Sequence, residues 1–401
     1  MPAFTYVARA RDGSRRRGTI TADNRQAVMR NLQNQGLLPE TVQEKGKSSG
    51  PRRDARVKPA EILVFTRQLS TIVNAGLPLL QGLEILAEQT EDVRFAGVLR
   101  EIGADVEGGE SFSDALRKHP RVFADLYVSM VRAGEASGNL DNVLLQLADY
   151  LESMEELKRR IRAAMTYPVV AFSMILLIAA GLIIWVVPQF AEIFSSFDRA
   201  LPAPTQLLIT ISEILRSWKV FVVIALAIAA VIGIRAYGAT PVGRYNLDAI
   251  KLRLPVFGKM LRKVAISRFA RTLSTLTRSG VAILAALEIV ERTAGNEVFA
   301  RAVRKAGDSV RGGETLAEPL ARSGEFPAMV TRMIGVGEKT GALEQMLSKI
   351  SDFYDSEVKA AVDALTSLIE PLLILMMGIV VGGIVIALFM PILQLSSLVQ
   401  T

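Results

Sequence analysis

The stretch Phe65-Thr-Arg-Gln-Leu-Ser-Thr71 decides how this chain is organised, because it returns as Phe269-Ala-Arg-Thr-Leu-Ser-Thr275 at an offset of 204 residues. Between residues 65–86 and 269–290, 10 of 22 positions are identical. Unrelated helices do not share that many residues by chance, so the chain is expected to contain two copies of one unit. Each copy is predicted to be a domain of roughly 100 residues followed by one membrane span.

Shorter motifs repeat at nearly the same spacing and mark equivalent points of the two copies. Gly108-Gly-Glu-Ser111 matches Gly312-Gly-Glu-Thr315, Pro168 matches Pro371, and Pro188 matches Pro391. A Gly-Glu turn also recurs, and its candidate structural or partner-contact residues are Gly134, Glu135, Gly138 and Leu140 in the first copy and Gly337, Glu338, Gly341 and Leu343 in the second. Its glycines are expected to supply left-handed backbone at a helix C-terminus. For the two glutamates, capping of backbone donors and contact with a partner both remain open.

Each copy is expected to form a bundle of about six helices, the last of which continues into the membrane. In the first copy Pro59 suits a first helical turn, where its missing N–H costs little. Ser111 with Asp114, and Thr315 with Glu318, have the spacing of a helix N-cap and its reciprocal partner. The repeat of this pattern at one position of both copies favours a capped short helix there.

The composition limits the chemistry that the chain can perform. Half of its 401 residues are hydrophobic and 22% are charged, which indicates polar domains carrying a few membrane spans. Cysteine is absent, so disulfides, thiolate metal sites and cysteine nucleophiles are excluded. The single histidine, His119, falls where the copies do not align, and it is expected at the surface near a helix end. No catalytic residue, cofactor or metal site is therefore expected, and enzyme activity is not favoured.

Three membrane spans are predicted. The first lies in the uncharged run between Arg162 and Glu192, and the last begins after Glu370. Residues 220–234 form an uncharged run of only 15 residues, roughly 22 Å of helix, which by itself suits either a short span or a buried helix. Two parallel copies can be joined only by a return crossing, which favours the span. The bundle-to-span junctions are predicted at Tyr167, Pro168 and Pro371.

Lysine and arginine residues indicate the orientation of these spans. Four of them closely precede the first span and seven follow the second, whereas the segment between these spans is nearly balanced in charge. Because basic segments stay in the cytoplasm, the N-terminus and both bundles are expected to be cytoplasmic and the C-terminus periplasmic. The formal net charge of +7 then reflects topology, and nucleic-acid binding is not expected.

The predicted fold class is a mainly α membrane protein with a small N-terminal ββαβ module, two repeated six-helix cytoplasmic bundles and three transmembrane helices. The module is predicted from a hairpin around Asp12-Gly13, a helix over residues 23–35 and a strand over residues 36–42. The predicted segments are the module (1–44), a basic flexible linker (45–58), the first bundle (59–167), the first span (168–190), a short periplasmic loop (191–217), the second span (218–236), the second bundle (237–370), the third span (371–395) and a periplasmic tail (396–401).

Two further patterns suggest chemistry but have simpler explanations. The string Gly335-Val-Gly-Glu-Lys-Thr-Gly341 is similar to a phosphate loop, but Glu338 interrupts the Gly-Lys-Thr order and a helix precedes it, so a turn between helices is favoured. Carboxylates along the two long helices indicate a solvated face, with a docking surface or cation site as the alternative. They are Glu152, Glu155, Glu156, Asp352, Asp355, Glu357 and Asp363. The uncharged central stretches of the spans contain no Asp, Glu, Lys, Arg or His, so a coupled transporter would have no group there to bind or relay an ion.

Taken together, these motifs resemble the type II secretion F-protein family, which includes the inner-membrane platform proteins of type IV pili. The most specific motif is Arg160-Ile-x-x-Ala-Met-x-Tyr-Pro168, which the second copy keeps only as Glu370-Pro371. The resemblance covers essentially the whole chain. It implies a homo-oligomeric, non-enzymatic platform in the bacterial inner membrane.

The resemblance also implies a set of partners. These are a cytoplasmic hexameric assembly ATPase, pilin or pseudopilin subunits, other inner-membrane assembly components and membrane lipid. Pilus assembly and type II secretion use the same parts and are not separated by the sequence. A membrane transporter or channel subunit with repeated cytoplasmic domains is the alternative.

Overall fold

The computed structural model describes residues 3–10, 15–21, 29, 37–44, 57–195, 202–255 and 257–399. The chain divides into two units, residues 1–56 and residues 57–401, which are described separately.

The first unit contains a three-stranded antiparallel sheet. Its strands are β1 (Ala3–Ala10), β2 (Arg15–Thr21) and β3 (Leu37–Glu44), in the order β2-β1-β3. Strand β1 is central: Phe4 pairs with Ile20 of β2 and with Glu44 of β3. A register shift between Val7 and Ala8 interrupts the second pairing.

The predicted ββαβ module is not supported and has to be corrected. The helix predicted over residues 23–35 lies outside the described residues except at Met29, so only the antiparallel sheet is established. From Val57 onward, 86% of the described residues are helical and none lies in a strand. The fold is therefore that of a helical membrane protein.

The first bundle begins at Pro59, which occupies the first turn of its helix as expected. Side-chain caps start two of the following helices: Asp92 accepts from the N–H of Arg94 at 2.8 Å, and Ser111 accepts from the N–H of Asp114 at 3.1 Å. The helices are α1 (Pro59–Asn74), α2 (Leu79–Gln89), α3 (Val93–Glu107), α4 (Phe112–Arg117), α5 (Asp125–Ser137) and α6 (Leu140–Gly181).

The second bundle repeats this series with one helix added at its start. Its helices are α10 (Pro241–Arg253), α11 (Phe257–Arg278), α12 (Ile283–Thr293), α13 (Glu297–Arg311), α14 (Ala317–Arg322), α15 (Ala328–Thr340) and α16 (Leu343–Val399). Helix α10 has no counterpart in the first bundle, because there the chain reaches its first helix from the linker and not from a membrane span. The predicted repeat of the helical bundle is confirmed, but the second bundle has seven helices within the described residues instead of about six.

Two local predictions in the bundles are also wrong. Thr315 does not cap helix α14, whose N-cap position is Leu316 and has no side-chain cap. His119 is not a surface residue, because only 7% of it is exposed. Its backbone oxygen accepts from the N–H groups of Val122 and Phe123, both at 3.0 Å, and this tight turn carries the imidazole inward.

Three phenylalanines occupy equivalent positions at the centre of each bundle. In the first bundle the ring of Phe65 lies 5.5 Å from that of Phe95 and 6.1 Å from that of Phe123. In the second, Phe326 lies 4.8 Å from Phe269 and 5.3 Å from Phe299. All six are nearly inaccessible to solvent, and the buried apolar residues of both bundles form a single continuous cluster. The two bundles therefore pack as one body.

Among the residues that the structure describes, three helices are long and apolar enough to cross a membrane: Leu140–Phe190, Lys219–Ala239 and Leu343–Pro391. The first comprises α6, a π-helical segment (Leu182–Val186) and the start of α7 (Val187–Ser195). The second is α9 (Lys219–Ala239), whose 21 residues give roughly 31 Å, enough for the predicted return crossing. The third is α16 from its first residue to Pro391.

The predicted loop between the first two spans contains a helix, α8 (Ala203–Arg216). It packs against the π segment and against α16, and the apolar cluster between them includes Leu208, Val187 and Leu388. The first and third spans thus meet at their distal ends, the ends away from the bundles. In contrast, no residue of α9 is buried.

Candidate functional site

Glu135, on helix α5, binds the N-terminus of the neighbouring short helix α4. Its carboxylate accepts hydrogen bonds from the N–H of Phe112 at 2.6 Å and from the N–H of Ser113 at 3.0 Å. Helix N-termini have unpaired donors and a partial positive charge, so a carboxylate is a favourable partner. Glu135 therefore joins two consecutive helices through a contact that spans 23 residues of sequence.

Glu338 makes the same contact in the second bundle. It accepts from the N–H of Leu316 at 2.5 Å and from the N–H of Ala317 at 3.0 Å, at the start of α14. Of the two interpretations that the sequence left open, capping is the one that the geometry displays in both copies. Glu338 also supplies the hydrogen-bond acceptor at the start of α14 that Thr315 was predicted to supply.

Gly134 and Gly337 allow the long helices to start close to the preceding helix. A Cβ atom at Gly337 would lie 2.8 Å from the Cα of Leu343, and one at Gly134 would lie 3.2 Å from the Cα of Leu140. Both leucines are the first residues of the long helices and pack on the shared core. The close approach places each Glu-bearing helix against the base of its long helix.

Gly138 and Gly341 reverse the chain between these helices. Their φ angles are 68° and 71°, in the left-handed region that glycine adopts without strain. In the first copy the N–H of Asn139 donates to Gly134 O at 2.9 Å, which closes the helix end. The predicted turns are therefore present. The phosphate-loop-like string is helical from Gly335 to Thr340, so its backbone N–H groups are engaged in the helix.

The sequence analysis missed Arg67 and Arg271, the arginines of the repeated opening motif. Arg67 Nη2 donates to Asp149 at 2.8 Å and to Glu152 at 2.5 Å on α6, and the bond to Asp149 raises the pKa of Arg67. Arg271 pairs with Asp355 on α16, which stands at the position equivalent to Glu152. The sequence contained a signal for these ion pairs, because both the arginines and the acidic residues recur at matching positions of the two copies.

Arg271 also links the two bundles. Its Nη1 donates to Ser153 Oγ of α6 at 2.9 Å, while Asp355 accepts a short hydrogen bond from Ser267. Ser279 donates to Gln146 at 3.0 Å across the same boundary. These contacts connect both long helices to α11.

The carboxylates of the long helices are mostly engaged in ion pairs. Besides Glu152 and Asp355, the pairs are Glu155 with Lys158, Glu156 with Arg160, and Glu357 with Lys263. Within the described residues that were searched, no three His, Cys, Asp or Glu side chains converge as a metal site would require. The pairs of Glu152, Asp355 and Glu357 join different helices, whereas those of Glu155 and Glu156 lie within α6.

The bundle-to-span junctions lie inside unbroken helices. Tyr167 is 58% exposed, as suits an interfacial aromatic residue, whereas Pro168 is buried within α6. Pro371 lies within α16 and is exposed. The last bundle helix and the following span are therefore one helix in each copy.

These features indicate a multi-pass membrane protein in which two similar helical bundles run directly into spans. A carboxylate cap stabilises each bundle internally, and polar contacts of Arg271 and Ser279 join the two bundles. The chain belongs to the type II secretion system protein F family. The family model matches residues 65–188 and again residues 269–391, and the model of the family's N-terminal domain matches residues 1–43.

Relatives with established names are similar over nearly the whole chain. The type IV pilus assembly protein PilC of Thermus thermophilus is 44% identical over 98% of both chains. PilC of Myxococcus xanthus is 42% identical over 99% of this chain and 96% of its own. The type II secretion system protein F of Pseudomonas aeruginosa is 35% identical over the full length of both.

Removing the carboxylate caps should destabilise each bundle separately. We expect Glu135→Ala and Glu338→Ala each to lower the free energy of unfolding by about 1–2 kcal/mol, because each leaves two helix donors unpaired. The sites lie in different bundles, so the double variant should show the sum. Urea unfolding of the full-length protein in detergent, followed by circular dichroism, measures this. Glu107→Ala, at an exposed position on α3, is the control, and equal losses in the control and the cap variants would contradict the role assigned to the caps.

The close approach at the glycines predicts opposite signs for two glycine-to-alanine changes. Gly337→Ala should destabilise by about 1–3 kcal/mol, because its Cβ would overlap the backbone of Leu343. Gly103→Ala, inside helix α3, meets no atom within 4 Å and should stabilise by about 0.5–1 kcal/mol. The same urea unfolding measurement tests both changes. A stabilising effect of Gly337→Ala would show that α15 and α16 do not approach closely at this point.

Proposed function

We propose that this protein is the inner-membrane platform of a type IV pilus machine, which couples a cytoplasmic assembly ATPase to the insertion of pilin subunits. The observation that carries the proposal is the similarity over nearly the whole chain to relatives named type IV pilus assembly protein. Relatives named for type IV pilus or type 4 fimbrial assembly are 36% to 44% identical, and relatives named type II secretion system protein F are 35% to 36% identical, which favours the pilus.

The architecture suits a part that transmits displacement. The two bundles share one apolar core, and α6 and α16 run from that core into the membrane without interruption. A push or a rotation applied to the bundles would therefore move the first and third spans with them. Pilin helices in the bilayer would contact these spans.

The distribution of charge indicates on which side of the membrane the bundles lie. The basic residues at the bundle ends of the spans, including Arg159, Arg162 and Arg235, support a cytoplasmic location of the bundles, where an ATPase is accessible. The C-terminus then lies in the periplasm. The turns with Glu135 and Glu338 hold the bundle faces that a hexameric ATPase and further assembly components would contact.

A platform needs no turnover chemistry of its own. A transporter is less well supported, because the spans carry charged residues only near their ends, such as Lys219 and Arg235 of the second, and none in their centres that could bind or relay an ion. The proposal includes a homo-oligomer, since a ring-shaped ATPase acts most simply on several copies.

Deleting the gene and comparing pilus assembly with secretion in the source bacterium tests the proposal. We expect sheared surface pili to be lost and secreted hydrolases to be unchanged, with recovery on expression of the full-length chain. The Glu107→Ala chain serves as the matched complementation control and should recover fully. Loss of secretion with pili intact would instead assign the protein to a secretion machine, and an unchanged phenotype in both would contradict the platform role.

A further inference from the structure

Two prolines interrupt the hydrogen bonding of the first and third spans near their distal ends. In α16, Pro391 has no N–H, so the carbonyl of Ala387, four residues earlier, loses its helical donor. The gap is closed from outside the helix: Thr205 of α8 donates its hydroxyl to Ala387 O at 2.5 Å.

The first span has the same defect in a different register. Its π segment has the N–H of Val187 directed to Leu182 O, five residues back. In that register the donor for Ile183 O would be residue 188, which is Pro188 and has none. Ser212 of α8 donates its hydroxyl to Ile183 O at 2.7 Å.

The two hydroxyls belong to a single face of α8. Thr205 and Ser212 are separated by two helical turns, and Leu208 lies between them on the same side. All three are buried, with exposures of 2%, 3% and 8% for Thr205, Ser212 and Leu208. By contrast, the exposed Thr210 donates to Gln206 O of its own helix at 2.9 Å.

The surroundings explain why these bonds matter. Within lipid no water can hydrate a free carbonyl, so a proline-broken span needs another donor. At the bundle ends of the spans the situation differs. There Pro168 and Pro371 free the carbonyls of Ala164 and Ser367, and both residues line an open cleft of about 1020 Å³ between α6 and α16. Water can serve those carbonyls, whereas the distal pair depends on α8.

We propose that Thr205 and Ser212 are positioning residues that replace the backbone donors removed by Pro391 and Pro188, so that α8 holds the distal ends of the first and third spans in one arrangement. Helix α8 is then part of the membrane-embedded structure and fixes how far the two spans separate. The inference does not depend on the proposed function, because it concerns the spacing of the spans in the isolated protein.

Spin-label distances in the full-length protein test this, since a cysteine-free chain accepts labels at chosen sites only. Labels at Leu177→Cys and Ile379→Cys, both exposed, report the separation of the two spans in nanodiscs. We expect Thr205→Val or Ser212→Ala to raise the population of separated spans roughly threefold, and both together roughly tenfold. Thr210→Val, the control on the same helix, should leave the distribution unchanged. If Thr205→Val and Ser212→Ala give the same distance distribution as Thr210→Val, the proposal is overturned.

A rescue experiment addresses the mechanism directly. Pro391→Ala restores the N–H that Ala387 O lacks, so Thr205→Val in that background should have no further effect on the distance distribution. Should Thr205→Val alone fail to fold, recovery of folding by Pro391→Ala supports the proposal. An effect of Thr205→Val that is the same with and without Pro391→Ala, or a folding defect that Pro391→Ala does not correct, contradicts it.

Discussion

The structure depends on one constraint: each bundle shares a single helix with the span that follows it. Helix α6 begins at Leu140 on the bundle core and is still helical at Gly181, and α16 runs from Leu343 to Val399. A helix that is both a core element and a span fixes the position of its bundle relative to the membrane. Since both long helices leave their bundles in the same direction, the chain must cross back between the copies, and α9 makes that crossing.

Contacts hold the long helices in position at three levels: at their first residues, further along the bundles, and at the distal ends of the spans. At the base, the carboxylates of Glu135 and Glu338 and the close approach at Gly134 and Gly337 set where each long helix starts. Further up, arginines of the repeated motif bind acidic residues on those helices. At the distal ends, α8 contacts both spans.

Much of this could be read from the sequence, because the repeat supplies two independent versions of each signal. Pro59 and the left-handed glycines Gly138 and Gly341 lie where helix-end rules place them. The short uncharged run at residues 220–234 is a full-length helix because its flanking residues extend it. Similarity over the full length places the chain in its family.

What the sequence could not provide are contacts between residues distant in the chain. Glu135 lies 23 residues from Phe112, so no local spacing rule reveals that it caps α4, and the same is true of Glu338. Thr315 has the correct spacing for a cap, but Glu338 accepts the hydrogen bonds at the start of α14 instead. His119 is polar by type, yet a tight turn places it inside. The helix in residues 203–216 lies in a segment predicted as a loop, and its contact with both spans, through Leu208 and the two buried hydroxyls, is visible only in the structure.

Hydrogen exchange along α6 measures whether the first bundle and the first span share one continuous helix. Residues 155–167 lie between the bundle core and the first span, where neither packing nor lipid would protect amides that are not helical. If bundle and span share one helix, peptides from this stretch of the full-length protein in nanodiscs should exchange as slowly as those from the start of α6. A fast-exchanging break between Lys158 and Tyr167 would contradict the account, because the bundles would then be hinged to the membrane.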